Sequence, residues 1–159
     1  MFCLYAQVHY GAAVSLAFVK KTFKVGNVEP KDYQGVQGFF GILGTYKGWL
    51  MGGQIFANKP LFSVIRITPT WSWGAKGLFG YNFNDTFLLY GGIGFENDSI
   101  QEKTLQPSKR LLFSADADLF VASGIGFGLN LSSRHPFSSS DFFKSNDVRI
   151  LVKIIFRYL

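Results

Sequence analysis

The sequence has little of what a disulfide-built or helical soluble protein needs. One cysteine, Cys3, excludes an internal disulfide framework and offers no cysteine cluster for a metal. It reads as a small inward-facing residue. Charged residues make up only 16% of the chain, too few Glu and Lys to clothe exposed helix faces. A long apolar run that would cross a bilayer as a helix is also missing. The most weakly charged stretch, residues 38–57, has Lys47 as its only charge, yet Gly38, Gly41, Gly44, Gly48, Gly52 and Gly53 break it, and Lys47-Gly48 reads as a turn in its middle. The opening MFCLYAQVHY shows no basic segment followed by an apolar one. A signal peptide is therefore expected to be absent from the chain, through processing or a shortened reading frame. Finally, the net charge of +6 comes from scattered cations with no basic run, which argues against a nucleic-acid partner.

Aromatics and glycine are abundant instead. Gly 18, Phe 18, Tyr 7 and Trp 3 in 159 residues point to an all-β chain, and the length predicts one domain spanning residues 1–159.

The tail, VRILVKIIFRYL, states the pattern most plainly. Arg149, Lys153 and Arg157 recur every fourth residue, a spacing that suits one face of a helix or of a strand. Val148, Ile150, Val152, Ile154 and Ile155 are β-branched and select the strand. Its even positions are wholly apolar, and its odd positions carry all three cations. Seven earlier segments alternate similarly, over residues 2–13, 33–45, 49–57, 71–83, 87–96, 111–121 and 125–131. In the first, Gln7 and His9 share the more polar face. Short turns near residues 47, 84 and 123 alternate with long polar connections over 18–32, 58–70, 97–109 and 133–147.

Eight strands long enough to cross a bilayer when tilted, with short and long connections in alternation, predict an eight-stranded antiparallel up-and-down transmembrane β-barrel. Such a sheet must close, so the eighth strand has to pair with the first. Lys76, Glu96, Asp116, Asp118, Arg149, Lys153 and Arg157 fall on the polar face of their segments and are expected to form an interior charge network, with Tyr5, Tyr90 and Phe120 beside it. Tyr46, Trp49, Tyr81, Phe83, Phe87 and Tyr158 cluster near the short turns. Trp71, Trp73, Phe95 and Phe113 lie toward the long connections, so that two interfacial aromatic girdles are predicted.

In WSWGAKGLFGYNFNDTFLLYGGIGF, residues 71–95, the chain resembles the small outer-membrane β-barrel family of OmpA, OmpX and opacity type. The matching pieces are the glycine-tyrosine strand end, the Asn84-Asp85 turn and the Tyr-Gly-x-x-Gly strand after it. The tail is similar to that family's C-terminal assembly signal, except that Leu159 follows the aromatic Tyr158. The resemblance covers nearly the whole chain. It implies a Gram-negative outer-membrane location, contact with the lipid bilayer and lipopolysaccharide, and recognition by the outer-membrane assembly machinery.

A non-enzymatic surface barrel is the function expected first, without cofactor or metal. Its long loops would present an adhesion or binding surface to host or surface macromolecules, and Lys20, Lys21, Lys24 and Lys31 would draw anionic partners to the first loop. A soluble, calycin-like ligand-binding barrel is the alternative if the two faces are inverted. A lipid-modifying acyl hydrolase is a further one: SRHPFSSSD offers His135, Ser138 and Asp141 as base, nucleophile and orienting group. Lipid A deacylases carry a histidine and a serine nearly adjacent on a strand, an arrangement not expected here because these residues read as loop. A narrow pore is disfavoured by the bulk and charge assigned to the interior.

Overall fold

The computed structural model describes residues 5–15, 35–60, 69–100, 108–122, 124–136 and 147–158. Eight strands account for nearly all of them: β1 (Tyr5–Ser15), β2 (Gly35–Tyr46), β3 (Trp49–Pro60), β4 (Pro69–Asn82), β5 (Phe87–Ile100), β6 (Ser108–Ala122), β7 (Ile125–Pro136) and β8 (Asp147–Tyr158). Each pairs antiparallel with its neighbour in sequence, and β1 pairs with β8 from Val8↔Tyr158 to Ser15↔Leu151, which closes the barrel.

The turns at one rim are tight for local reasons. Lys47 and Gly48 join Tyr46 to Trp49 with φ of 51° and 84°, the left-handed pair that a two-residue hairpin needs to match the strand twist. A side chain at Gly48 would also run into the Tyr81 ring. Between β4 and β5, the Asp85 amide donates to Asn82 Oδ1 at 2.7 Å, and the Phe87 amide donates to Asn84 Oδ1 at 3.1 Å. Asx bonds of this kind hold the turn while Asp85 takes a positive φ. The β6–β7 turn is tied to the last strand, where the Arg157 amide donates to the Gly124 carbonyl at 2.8 Å. The four other connections join the opposite ends of the strands and lie outside the described residues, as do Cys3, Lys20, Lys21, Lys24, Lys31, Tyr33, Ser138 and Asp141.

Several strands run further than their hydrophobic pattern indicates. β7 was expected to stop at Leu131 but continues to Pro136, and β5 continues past Glu96 to Ile100. The extension of β7 comes from pairing: Ser132, Ser133, Arg134 and His135 lie opposite Ser114, Phe113, Leu112 and Leu111 of β6. A neighbouring strand supplies the backbone partners that these polar residues do not announce by themselves.

The two faces are opposite in kind. Outward residues include Met51 at 64% exposure, Ile93 at 63% and Val121 at 64%, whereas inward Glu96 and Asp118 are at 0%. A soluble barrel would have the reverse arrangement. With its backbone bonds closed on themselves and apolar side chains outside, the sheet is built to stand in hydrocarbon. Folded into detergent micelles, the chain should give a β-type circular dichroism spectrum and migrate differently on gels before and after boiling. A water-soluble β monomer without that shift would refute the assignment of the faces.

Candidate functional site

The interior is filled by two charge clusters and an apolar layer. In the middle, Lys153 of β8 places Nζ 2.7 Å from Asp116 Oδ1 and 2.6 Å from Asp118 Oδ1, and Lys76 of β4 reaches Asp116 Oδ2 at 2.9 Å. Tyr90 donates its hydroxyl to Asp118 at 2.5 Å and receives a bond from Lys153 at 3.1 Å. Two lysines thus face two aspartates, and each acid is within reach of Lys153.

The second cluster, toward the long connections, is built on Glu96 of β5. Its Oε1 accepts from Ser72 at 2.6 Å, from Asn58 at 2.9 Å and from Arg149 at 3.2 Å, and Arg134 Nη1 lies 3.3 Å away. Below the charges, Leu43, Leu50, Leu78, Leu88, Phe120 and Ile155 form a buried apolar layer.

Glycine makes room for these long cations. Gly128 of β7 lies between Asp118 and Lys153 in the register, and a Cβ there would meet the Asp118 carboxylate and Lys153 Cε. Lys153 therefore crosses β7 over a residue without a side chain. Lys76 does the same on the other side, crossing β5 at Gly92 to reach Ser114 and Asp116. Outward Gly53 is different, because a Cβ there would have only Lys76 O within 4 Å, at 3.9 Å.

Of the interior residues predicted from sequence, Lys76, Asp116, Asp118 and Lys153 are brought together, and Glu96 and Arg149 meet in the second cluster. Arg157 joins neither. It lies beyond Lys153 toward the short turns, where Nη1 donates to the Asp85 carbonyl at 2.8 Å and the guanidinium lies over the Phe120 ring at 4.1 Å. Arg134 was missed because its stretch of β7 reads as loop; its parity with Asn130 and Ser132, both buried like Arg134, was the available signal. Tyr90 and Phe120 are buried inside.

The aromatic residues assigned to the two girdles face outward. Near the short turns, Trp49, Tyr81, Phe83 and Phe87 form a chain of ring contacts with centroids 5.6, 5.1 and 5.5 Å apart in that order. Tyr46 is half-exposed, and Tyr158, at 74%, is the most exposed of the large apolar residues among the described residues. At the other rim, Trp73 meets Phe95 edge-on at 5.9 Å, and Lys59 Nζ lies 5.4 Å from the Trp71 ring centroid. Rings of this type hold the boundary between hydrocarbon and headgroups.

His135, singled out with Ser138 and Asp141, is on β7 and not in a loop. It faces outward with Ser133, whose Oγ is 2.9 Å from His135 Nε2. A serine and a histidine nearly adjacent on a strand, which the sequence reading did not anticipate, are therefore present.

These features define a class: the protein is an eight-stranded antiparallel transmembrane β-barrel of the bacterial outer-membrane type. Solved structures agree on the fold. The attachment invasion locus protein Ail of Yersinia pestis is similar with a TM-score of 0.60 at 13% identity, covering 96% of this chain and 97% of that one. Neisserial surface protein A gives 0.59 at 11% identity, covering 96% and 95%. OprG of Pseudomonas aeruginosa gives 0.55 at 12% identity, again covering 96% and 95%. No protein-family model matches the sequence, and no curated protein matches it significantly.

Replacing Lys153 with Met should lower the unfolding free energy in lipid vesicles by about 3–5 kcal/mol, because Asp118 loses its only ion-pair partner among the described residues. Denaturant titration of the vesicle-embedded barrel measures this, and adding Asp118→Asn should restore part of the loss. Gly128→Ala should cost roughly 1–3 kcal/mol in the same assay through overpacking, whereas Gly53→Ala should be close to neutral.

Proposed function

We propose that this barrel is a non-enzymatic outer-membrane scaffold, a single domain over residues 1–159, whose long connections present a surface for anionic partners. The observation that carries the reading is the filled interior. Lys153, Asp116, Asp118 and Tyr90 lock together over the apolar layer of Leu50, Leu88 and Phe120, leaving the loops and the outer wall as the places where a partner can act.

Charge favours anions at the long-connection end. Glu96 is matched by both Arg134 and Arg149, Lys59 and Lys109 are exposed on the outer wall nearby, and Lys20, Lys21, Lys24 and Lys31 lie in the first long connection. Lipopolysaccharide phosphates and sulfated host polysaccharides share the chemistry such a surface attracts. Ail of Yersinia pestis, similar in fold, is known in complex with the heparin analogue sucrose octasulfate. The alternating, aromatic-ended β8 fits recognition by the assembly machinery.

Changing Lys20, Lys21, Lys24 and Lys31 together to Gln should weaken binding of the vesicle-embedded barrel to heparin at least tenfold at low salt. Surface plasmon resonance against a salt series should also show wild-type binding falling steeply as salt rises. Unchanged affinity would remove the first connection from the surface. In planar bilayers the folded protein should give no discrete conductance steps, and stable steps would overturn the filled-interior reading.

A further inference from the structure

Gly128 and Gly92 have a use inside the barrel, and two outward glycines do not. Gly53 of β3 and Gly77 of β4 lie opposite each other in the outer wall. A Cβ at either would meet nothing across the sheet nearer than 3.9 Å. Neither takes a positive φ, and the register runs through both without a shift. Glycine weakens a regular strand, and where no turn, bulge or crossing side chain requires it, it marks the close approach of something outside the sheet. With Ala75 the two glycines floor a groove of about 720 Å³. Its sides are Phe40 and Ile42 of β2, Ile55 of β3, and Ile93 and Phe95 of β5, all exposed.

We infer that this groove seats an acyl chain of lipopolysaccharide, with a phosphate of the same lipid against Lys59. The inference takes the class of anion from the reading above, on which it rests, and places the contact on the wall, away from the loops. One column of the wall supplies both halves of such a lipid. On β3 the outward residues from the groove toward the long connections are Gly53, Ile55, Ala57 and Lys59. Lys59 is exposed, with Nζ 5.4 Å from the centroid of the Trp71 ring. The strand from Gly53 to Lys59, tilted by about 45°, changes depth by roughly 14 Å, a little more than half of the ~25 Å apolar band. With Lys59 at headgroup level, Gly53 is therefore close to the midplane, where acyl chains end.

The form of the groove favours a chain over a second barrel. Close approach of two protein walls needs small residues that continue along the strands, whereas here Met51 and Phe79, opposite each other, take the next outward positions toward the short turns. A chain end entering from above reaches the glycines and stops there, touching backbone on the floor and side chains on both flanks, more contacts than a smooth wall offers. The boundary above it favours a phosphorylated glycolipid. Trp71 and Trp73, both exposed, give a sugar ring an apolar face beside the Lys59 ammonium. Long connections mark the outer side of barrels of this kind, the side whose lipid phosphates belong to lipopolysaccharide.

The test uses the full chain folded in detergent micelles, titrated with lipid A, the acylated and phosphorylated anchor of lipopolysaccharide, or with phosphatidylglycerol, and read by native mass spectrometry. The wild type should retain lipid A several-fold more tightly than phosphatidylglycerol. Gly53→Val with Gly77→Val fills the floor with residues that suit a strand and should weaken lipid A binding roughly tenfold or more. Lys59→Gln leaves the packing of the groove alone and should weaken it about fivefold. Both variants should keep heat-modifiable migration and undiminished heparin binding, while the four-lysine change in the first connection should leave lipid A binding as it was, so that the wall and the loops fail separately. A folded wild type that retains no lipid A or retains phosphatidylglycerol equally well overturns the inference. So does lipid A binding that survives unchanged in Lys59→Gln or in the folded double variant, or that is lost only in the four-lysine variant.

Discussion

Closure of the sheet by β1 and β8 is the constraint from which the rest follows. In hydrocarbon there is no water to satisfy an edge strand, so each backbone N–H and C=O needs a partner within the sheet. The pairing from Val8↔Tyr158 to Ser15↔Leu151 removes the last two edges. Once the ring is closed, alternation along every strand becomes a choice between lumen and lipid. Eight strands leave a lumen that side chains can fill. Each inward residue must then fit its neighbours across the barrel as well as beside it. Glycine on an intervening strand is how this chain solves that problem, letting Lys153 pass over Gly128 and Lys76 over Gly92.

The ion pairs are better understood as fixing register than as a source of net stability. Burying a lysine and an aspartate costs much of what their attraction returns. The cost of the alternative is larger in one respect: sliding β8 by one residue would turn Arg149 and Lys153 outward and bring Val152 and Ile154 in. A lysine or arginine on the lipid face costs about 2–4 kcal/mol near the bilayer midplane, and Asp116 and Asp118 would be left without Lys153. The clusters therefore penalise slipped pairings that the apolar residues of β8, present on both faces, would tolerate.

Strand count, closure and the facing of β8 were legible in the sequence because period-two alternation and β-branching act locally. What was not legible depended on neighbours. The upper end of β7, Ser132 to His135, has the composition of a loop and becomes strand only because β6 extends beside it. Arg134 was hidden as a partner of Glu96 for that reason, and so was the Ser133–His135 pair. Parity placed Arg157 correctly on the inner side of β8 but said nothing about height along the barrel. Its guanidinium is spent on the Asp85 carbonyl and the Phe120 ring, away from the acids. The glycines were legible as breakers of helix, yet their use as gaps for crossing lysines appears only once strands are in register.

A filled lumen moves function to the outer surfaces, and those surfaces are not uniform. Near the short turns the wall is a continuous band of rings from Trp49 to Phe87, suited to anchoring and little else. Toward the long connections polar groups enter the outward columns: Lys59 beside Trp71, Lys109 beyond Leu111, and Ser133 with His135 beyond Leu131. An outward polar residue in a membrane strand is costly below the hydrocarbon boundary and inexpensive at it. The change from Leu131 to Ser133 therefore marks the depth at which β7 leaves the hydrocarbon. That is also the depth at which lipids carry their ester carbonyls and, just above, their phosphates. Anion binding by the loops would thus act just above that boundary, whose position on this side of the barrel follows how far β6 and β7 stay paired beyond their apolar stretch.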